Sequence, residues 1–186
     1  IGGMMAFVFC AMTMKAVGRA AGAMVQAVDM VIHSEVDTVF CGIRPPGHHA
    51  GRSSAMGFCI FNNVAVGAAH ALAAGLDRIA IVDFDVHHGN GTENIFESDE
   101  RVMLCSVFQH PFYPDASLVT DNHHVVHAPL GAGAYSEAFQ QAVLDHLHQK
   151  AGELGLPSTV IVFEPLPREF FSPIEAPARI MSFREK

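Results

Sequence analysis

The stretch IVDFDVHHGNGT, residues 81–92, joins an apolar run to a group of ionisable residues. Its apolar beginning continues a run from Arg78 to Asp83 that predicts a strand in a hydrophobic core. Two aspartates and two histidines then follow within six positions, before glycines that permit a sharp turn. Ligand sites of parallel α/β sheets form at the carboxyl ends of strands, so this stretch predicts a functional site at a strand end.

Alternation along an extended strand places Asp83, Asp85 and His87 on one face. Burying carboxylates side by side is costly unless a cation or hydrogen-bond donors compensate. Asp85 and His87 can both reach one ion, and a carboxylate with an imidazole suits zinc or a similar transition metal. The competing interpretation is that the aspartates cap a helix or tie a turn, but it explains neither the histidines nor the apolar lead-in.

A second polar cluster, Arg44-Pro45-Pro46-Gly47-His48-His49, follows another predicted strand. Two prolines and a glycine predict a stiff loop that holds His48 and His49 in fixed orientation. A neutral imidazole can accept a proton from water and later donate it to a leaving group. A surface loop is the alternative for an isolated histidine pair, but the neighbouring strand ends favour proton transfer.

Strands alternate with helices along the chain, which predicts an α/β fold with a mostly parallel sheet flanked by helices. The predicted helices cover 15–32, 63–75, 92–96 and 136–154, and the predicted strands cover 38–43, 78–83, 102–107 and 159–163. Residues 1–163 are expected to form a partial α/β domain. Residues 164–186 carry closely spaced prolines and are predicted to be a divergent tail without regular structure.

Composition limits the function classes. Half of the 186 residues are apolar, which predicts a globular chain. A formal charge of −8 with 11 Lys and Arg disfavours nucleic acid and anionic membranes as partners.

The apolar residues 1–14 are fewer than the roughly 20 residues that a membrane span needs, so a core segment is expected there. The four cysteines, predicted to be buried thiols, fit a cytoplasmic protein. Since the chain begins with Ile1 and not with Met, its true beginning is expected to be missing. The sequence indicates no oligomeric state.

The remaining histidines are weaker candidates. His123, His124 and His127 could form a further metal site, although Val125 and Val126 between them favour a strand. Those at 33, 70, 146 and 148 are predicted to be structural.

Three ordered motifs carry a family resemblance: RPPGHHA (44–50), MGFCIFNN (56–63) and DFDVHHGNGT (83–92). With them the chain resembles the zinc-dependent histone deacetylase family, which includes the bacterial acetylpolyamine amidohydrolases. Its FNN and GNG forms are more similar to the class II and bacterial branches than to class I. The resemblance covers about residues 20–130 and implies the arginase/deacetylase-like fold.

The resemblance also implies roles for individual residues. Asp85 and His87 match zinc ligands, and His48 and His49 match the pair that handles the water proton and the leaving amine. Asp83 matches the carboxylate that orients His48, and Asn90 stands where the family places a partner for the second histidine. The implied wall of the acyl-lysine tunnel is Gly57 and Phe58, with Tyr113 facing it, and a structural potassium ion is implied beside Asp83 and Ser106.

The resemblance implies hydrolysis of the amide of acetyl-lysine or an acetylpolyamine to acetate and a free amine. The family takes a third zinc ligand, an aspartate, from a segment of the SAGFDAH type, and an oxyanion-stabilising tyrosine from a later glycine-rich loop. Here the strand at 159 runs into IVFEPLPREFF and the chain ends at Lys186. We therefore expect little deacetylase activity from this polypeptide. Glu164 or Glu169 could substitute as a ligand, but no geometric reason favours either.

Two alternatives compete with a deacetylase. An arginase-like binuclear metallohydrolase would need an aspartate two residues after His87, where Gly89 stands. A catalytically inactive fragment could serve as an interaction or regulatory module, or be a truncated gene product, and the absent third ligand favours this option.

Overall fold

The computed structural model describes residues 2–115, 122–135, 137–139, 141–142, 145–146, 159–163 and 178–182. Along the chain its helices are α1 (Gly2–Ile32), α2 (Asn63–Ala73) and α3 (Asn90–Phe96). Its strands are β1 (Thr38–Cys41), β2 (Ile79–Asp83), β3 (Val102–Gln109), β4 (Val125–Leu130), β5 (Thr159–Phe163) and β6 (Ala178–Ser182). The predicted helix over 136–154 lies largely outside the described residues.

The strands form one sheet in the order β1-β6-β5-β2-β3-β4. β2 pairs in parallel with β3 and β5, and β3 pairs in parallel with β4. This confirms the predicted α/β class with a mostly parallel sheet. β6 is the exception, since it runs antiparallel between β1 and β5.

β6 contradicts the expectation that residues 164–186 lack regular structure. ARIMS at 178–182 is too short to show a period, and it follows a proline-rich stretch. Its strand conformation comes from pairing with strands on both sides, which sequence pattern alone does not report.

β2, inside the sheet, is buried on both faces. One face places Ile79 and Ile81 of β2 in a core cluster with Met24 of α1 and Ala68 of α2. The other face places Ala80 and Val82 in a second cluster. Every residue of β2 is consequently buried, the terminal Asp83 included, so that carboxylate needs partners inside the protein.

α2 begins at Asn63, as predicted, and ends at Ala73, two residues before the predicted end. The Asn62 side chain caps the helix, because its Oδ1 accepts the Ala65 N–H at 3.0 Å. The Asn62 amide also donates to Thr92 Oγ1 at 3.0 Å, which joins α2 to α3. Gly75 has a φ of +102° just beyond the helix end, a conformation that favours glycine.

α1 is longer than predicted, and its first half differs from expectation. Residues 2–14 continue the helix beyond the sheet, and large side chains such as Phe7 and Phe9 are 79% and 72% exposed. The expectation of a core segment is therefore wrong, because burial of α1 starts at Val17, and Cys10 is exposed for the same reason. By length and composition alone, the helix over Gly3–Ile32 could cross a membrane.

Candidate active site

The candidate site begins where β2 ends. The strand stops at Asp83, so Asp85 and His87 lie in the turn beyond it and not on the strand face that alternation predicted. Backbone hydrogen bonds hold this turn: the Asp85 N–H donates to Asp83 Oδ1 at 3.1 Å, and the His87 N–H donates to Asp85 Oδ1 at 2.8 Å. His87 Nδ1 lies 3.0 Å from the same Asp85 oxygen, so the two side chains converge.

The loop after β1 brings His48 and His49 to the same edge of the sheet. Both side chains are buried, and their ring centroids are 4.0 Å apart. The N–H groups of Gly91 and Thr92, in the first turn of α3, donate to the His48 carbonyl at 2.9 and 3.1 Å. The α3 amino terminus thereby holds the histidine loop in place.

His48 forms a buried pair with Asp83. Its Nδ1 lies 2.8 Å from Asp83 Oδ2, and its Nε2 lies 4.0 Å from Asp85 Oδ1. Burial alone would lower the pKa of His48, but the charge and hydrogen bond of Asp83, with the charge of Asp85, raise it above the ordinary value. Burial would likewise raise the pKa of Asp83, yet His48 lowers it.

His49 has a different environment. Its Nδ1 lies 2.8 Å from Asn90 Oδ1, a neutral acceptor. Burial and the neighbouring charge of His48 lower the pKa of His49 below its ordinary value. The two adjacent imidazoles therefore have pKa values pushed in opposite directions, as acid and base groups in active sites do.

These groups line a pocket of about 570 Å³. A Cβ at Gly57, whose φ is +55°, would lie 2.2 Å from the His49 ring, so only glycine fits there. Phe58 is 94% exposed, and Tyr113 packs edge-on against His49 at 5.1 Å. The full lining is Pro46, His48, His49, Gly57, Phe58, Asp85, His87 and Tyr113.

Sequence reasoning missed Phe112 and His88. Phe112 stacks on His87 with an interplanar angle of 5°. Its only signal in the sequence is its position next to Tyr113, in HPFYP at 110–114. His88 contacts Ser106 and Glu93. The pair His87-His88 in the sequence was a signal for this residue, but only His87 was assigned a role.

Asp83 and Ser106, beside which a potassium ion was predicted, lie opposite each other on the neighbouring strands β2 and β3. Ser106 is fully buried, and its Oγ lies 2.9 Å from His88 Nδ1. The Ser106 hydroxyl group thus binds His88 and holds the turn after β2.

Val125 and Val126 lie in β4, so the strand that the sequence favours here is confirmed, and His124 and His127 have separate partners. His124 Nε2 donates to the Phe96 carbonyl at 3.1 Å, whereas His127 Nε2 lies 2.7 Å from Glu93 Oε2. Successive residues of β4 point to opposite faces, so histidines around this strand diverge.

Asp85 and His87 fit a zinc ion as part of a ligand set. Their donor atoms are of the types that zinc binds, and the 3.0 Å between them suits two ligands of one ion. Zinc sites use at least three protein ligands, and the described residues supply these two. β5 lies parallel to β2 with Phe163 opposite Asp83, and residues 164 and 169, which the sequence offers as substitutes, lie outside the described residues.

The chain is similar to known proteins over most of its length. A family model described as the histone deacetylase domain matches residues 4–163. An uncharacterized protein of Synechocystis is 43% identical over 144 residues, which cover 73% of this chain and 47% of that protein. A probable deacetylase of Archaeoglobus fulgidus is 38% identical over 130 residues, which cover 67% of this chain and 36% of the relative.

Solved structures show the same likeness. The HDA15 HD domain has a TM-score of 0.73 and 31% identity, covering 87% of this chain and 48% of that one. An acetylpolyamine aminohydrolase from Burkholderia pseudomallei has a TM-score of 0.69 and 30% identity, covering 77% of this chain and 44% of that one. The chain thus spans less than half the length of these relatives.

Proposed function

The chain belongs to the histone deacetylase domain family, and on that premise we propose that it removes acetyl groups from amines by metal-dependent amide hydrolysis. One observation carries the proposal: the pairs Asp83–His48, Asn90–His49 and Asp85–His87 converge in or beside a single pocket. Such a pocket combines a metal-ligand pair with two imidazoles of opposite protonation tendency.

Zinc is the proposed metal, with Asp85 and His87 as two of its ligands. When bound, zinc polarises the amide carbonyl and makes water more acidic. The His87 N–H holds the Asp85 carboxylate, and that carboxylate together with the stacked Phe112 ring holds the His87 imidazole, so both ligands are oriented before any ion binds.

The two histidines have different roles: His49 transfers the proton, and His48 supplies positive charge. Asn90 Oδ1 accepts the His49 Nδ1 proton, which leaves the His49 Nε2 lone pair free to accept a proton from water. The same nitrogen then donates that proton to the leaving amine. Asp83 holds the Nδ1–H of His48, so His48 keeps its proton and offers positive charge beside the reacting carbonyl.

The proposed substrate is an N-acetylated primary amine on an alkyl chain, either acetyl-lysine or an acetylpolyamine. The exposed ring of Phe58 and the ring of Tyr113 line the pocket and can contact an alkyl chain between them. A net charge of −8 favours the approach of an acetylpolyamine, whose remaining amines are cationic, and of acetyl-lysine carried on a basic peptide.

We further propose that turnover by the 186-residue polypeptide is slow, because the described residues supply two protein ligands, which hold zinc less tightly than three. The test is acetate release from an acetyl-lysine peptide and from N-acetylputrescine, with zinc supplied. His49→Asn should abolish release, whereas the control His70→Asn, which changes a half-exposed imidazole paired with Asp29, should leave it unchanged. Equal loss in both variants, or none in either, would refute the assigned role of His49.

A further inference from the structure

His88, Glu93 and His127 form a second cluster of side chains that can bind a metal, beside the turn after β2. His88 Nε2 and His127 Nε2 lie 2.8 and 2.7 Å from the same oxygen, Glu93 Oε2. The three residues come from that turn, from α3 and from β4. None of them lines the pocket of the candidate active site.

We propose that His88, Glu93 and His127 form a second metal site, which binds a divalent transition ion of the zinc class. One ligand atom from each residue lies within 4.8 Å of the others, so a single ion can reach all three. Two imidazole nitrogens with one carboxylate oxygen form the ligand set of many zinc sites. Within the described part of the chain, three such donors come together only here.

The surroundings of His88 support metal binding. A ligating imidazole usually donates its other ring N–H to a fixed acceptor, which sets the ring orientation. His88 Nδ1 lies 2.9 Å from the hydroxyl of Ser106, a fully buried residue of β3. When the ion takes the Nε2 lone pair, His88 Nδ1–H can therefore donate to Ser106.

Charge and access also suit a cation. The Glu93 carboxylate accepts hydrogen bonds from His127 and His88 and provides a negative group for a cation. The Glu93 side chain is 23% exposed, whereas those of His88 and His127 are 2% and 5% exposed. An ion can thus enter past the carboxylate and reach imidazoles that are shielded from water.

This site does not depend on the proposed deacetylase reaction. The ion would join the turn after β2 to α3 and β4, and thereby stiffen the segment that carries His87 and Asn90. A metal titration can detect it without any measurement of hydrolysis.

The experiment titrates the metal-free chain with Co²⁺ and records visible absorption. An Asp85→Asn/His87→Asn background removes the ligand pair of the candidate active site. In this background we expect one equivalent of Co²⁺ to bind, with an affinity that falls more than about tenfold on addition of Glu93→Gln or His127→Asn. His70→Asn, which changes an imidazole paired with a single carboxylate, serves as the control and should leave the affinity unchanged.

A folded background, judged by far-ultraviolet circular dichroism, that binds no Co²⁺ would overturn the proposal. If the background loses its fold, the comparison is between the unmodified chain and Glu93→Gln alone. Loss of one tight equivalent in Glu93→Gln supports the site, and equal Co²⁺ binding by the two chains overturns it.

Discussion

Substitution of Gly57 by alanine tests how tightly the pocket positions His49. The new Cβ would lie 2.2 Å from His49 Cδ2, so the ring must retreat by about 1.2 Å to reach an ordinary contact near 3.4 Å. Such a shift breaks the 2.8 Å hydrogen bond between His49 and Asn90. A displacement of about 1 Å in a catalytic group costs on the order of 10²-fold in rate.

Gly57→Ala should also be less stable. Its φ of +55° costs a residue with a Cβ about 1–2 kcal/mol, and the lost hydrogen bond adds about 1 kcal/mol. Gly75→Ala is the matched control, because Gly75 also has a positive φ, +102°, but its Cβ would meet nothing within 4 Å.

The assays are urea denaturation and acetate release with zinc supplied. We expect Gly75→Ala to lose about 1–2 kcal/mol of unfolding free energy and keep its turnover, whereas Gly57→Ala loses more stability and about 10²-fold in rate. If the two variants lose turnover equally, or if neither does, the positioning of His49 by Gly57 is refuted.

Further predictions concern the framework of the site. Asn62→Ala removes the α2 cap and the link to Thr92, and should cost about 2–4 kcal/mol by urea denaturation, while an unchanged midpoint would contradict the cap. Gly91→Ala should yield no folded protein by circular dichroism, because its Cβ would lie 2.5 Å from the Ala50 carbonyl oxygen, a backbone atom that cannot move away. In the metal-free chain, Glu93 has its pKa lowered from 4.5 to about 2, so it stabilises the fold above pH 4.5, and this stabilisation disappears as the pH falls toward 2. Unfolding free energies measured from pH 6 to 3 should fall more steeply for the unmodified chain than for Glu93→Gln, and parallel slopes would contradict the shift.

The sequence predicts the part of the fold in which local pattern and burial agree. β2 has an unbroken apolar run because both of its faces are covered, and α2 is followed by the glycine that the pattern places near its end. β6 and the exposed first half of α1 were not predicted, because pairing partners and the extent of the core are non-local properties.

The candidate site shows the same division. The doubled histidines and the D-x-D-x-H pattern predicted His48, His49, Asp85 and His87, which all line the pocket, because the members of each pair lie close together in sequence. Gly57, Phe58 and Tyr113 came from the family resemblance and not from a local pattern. Glu93 was missed because its partners approach it from a turn and from β4, 34 residues away at His127. Its position in α3 gives no periodic signal for such a contact.

The most direct test of the central claim is acetate release from an acetyl-lysine peptide by the zinc-supplied chain and by its Asp85→Asn variant. The account predicts slow release that requires zinc and disappears in Asp85→Asn, because that carboxylate and His87 hold the catalytic metal. Release that persists in Asp85→Asn, or no release from an unmodified chain shown to bind zinc through Asp85 and His87, would contradict it.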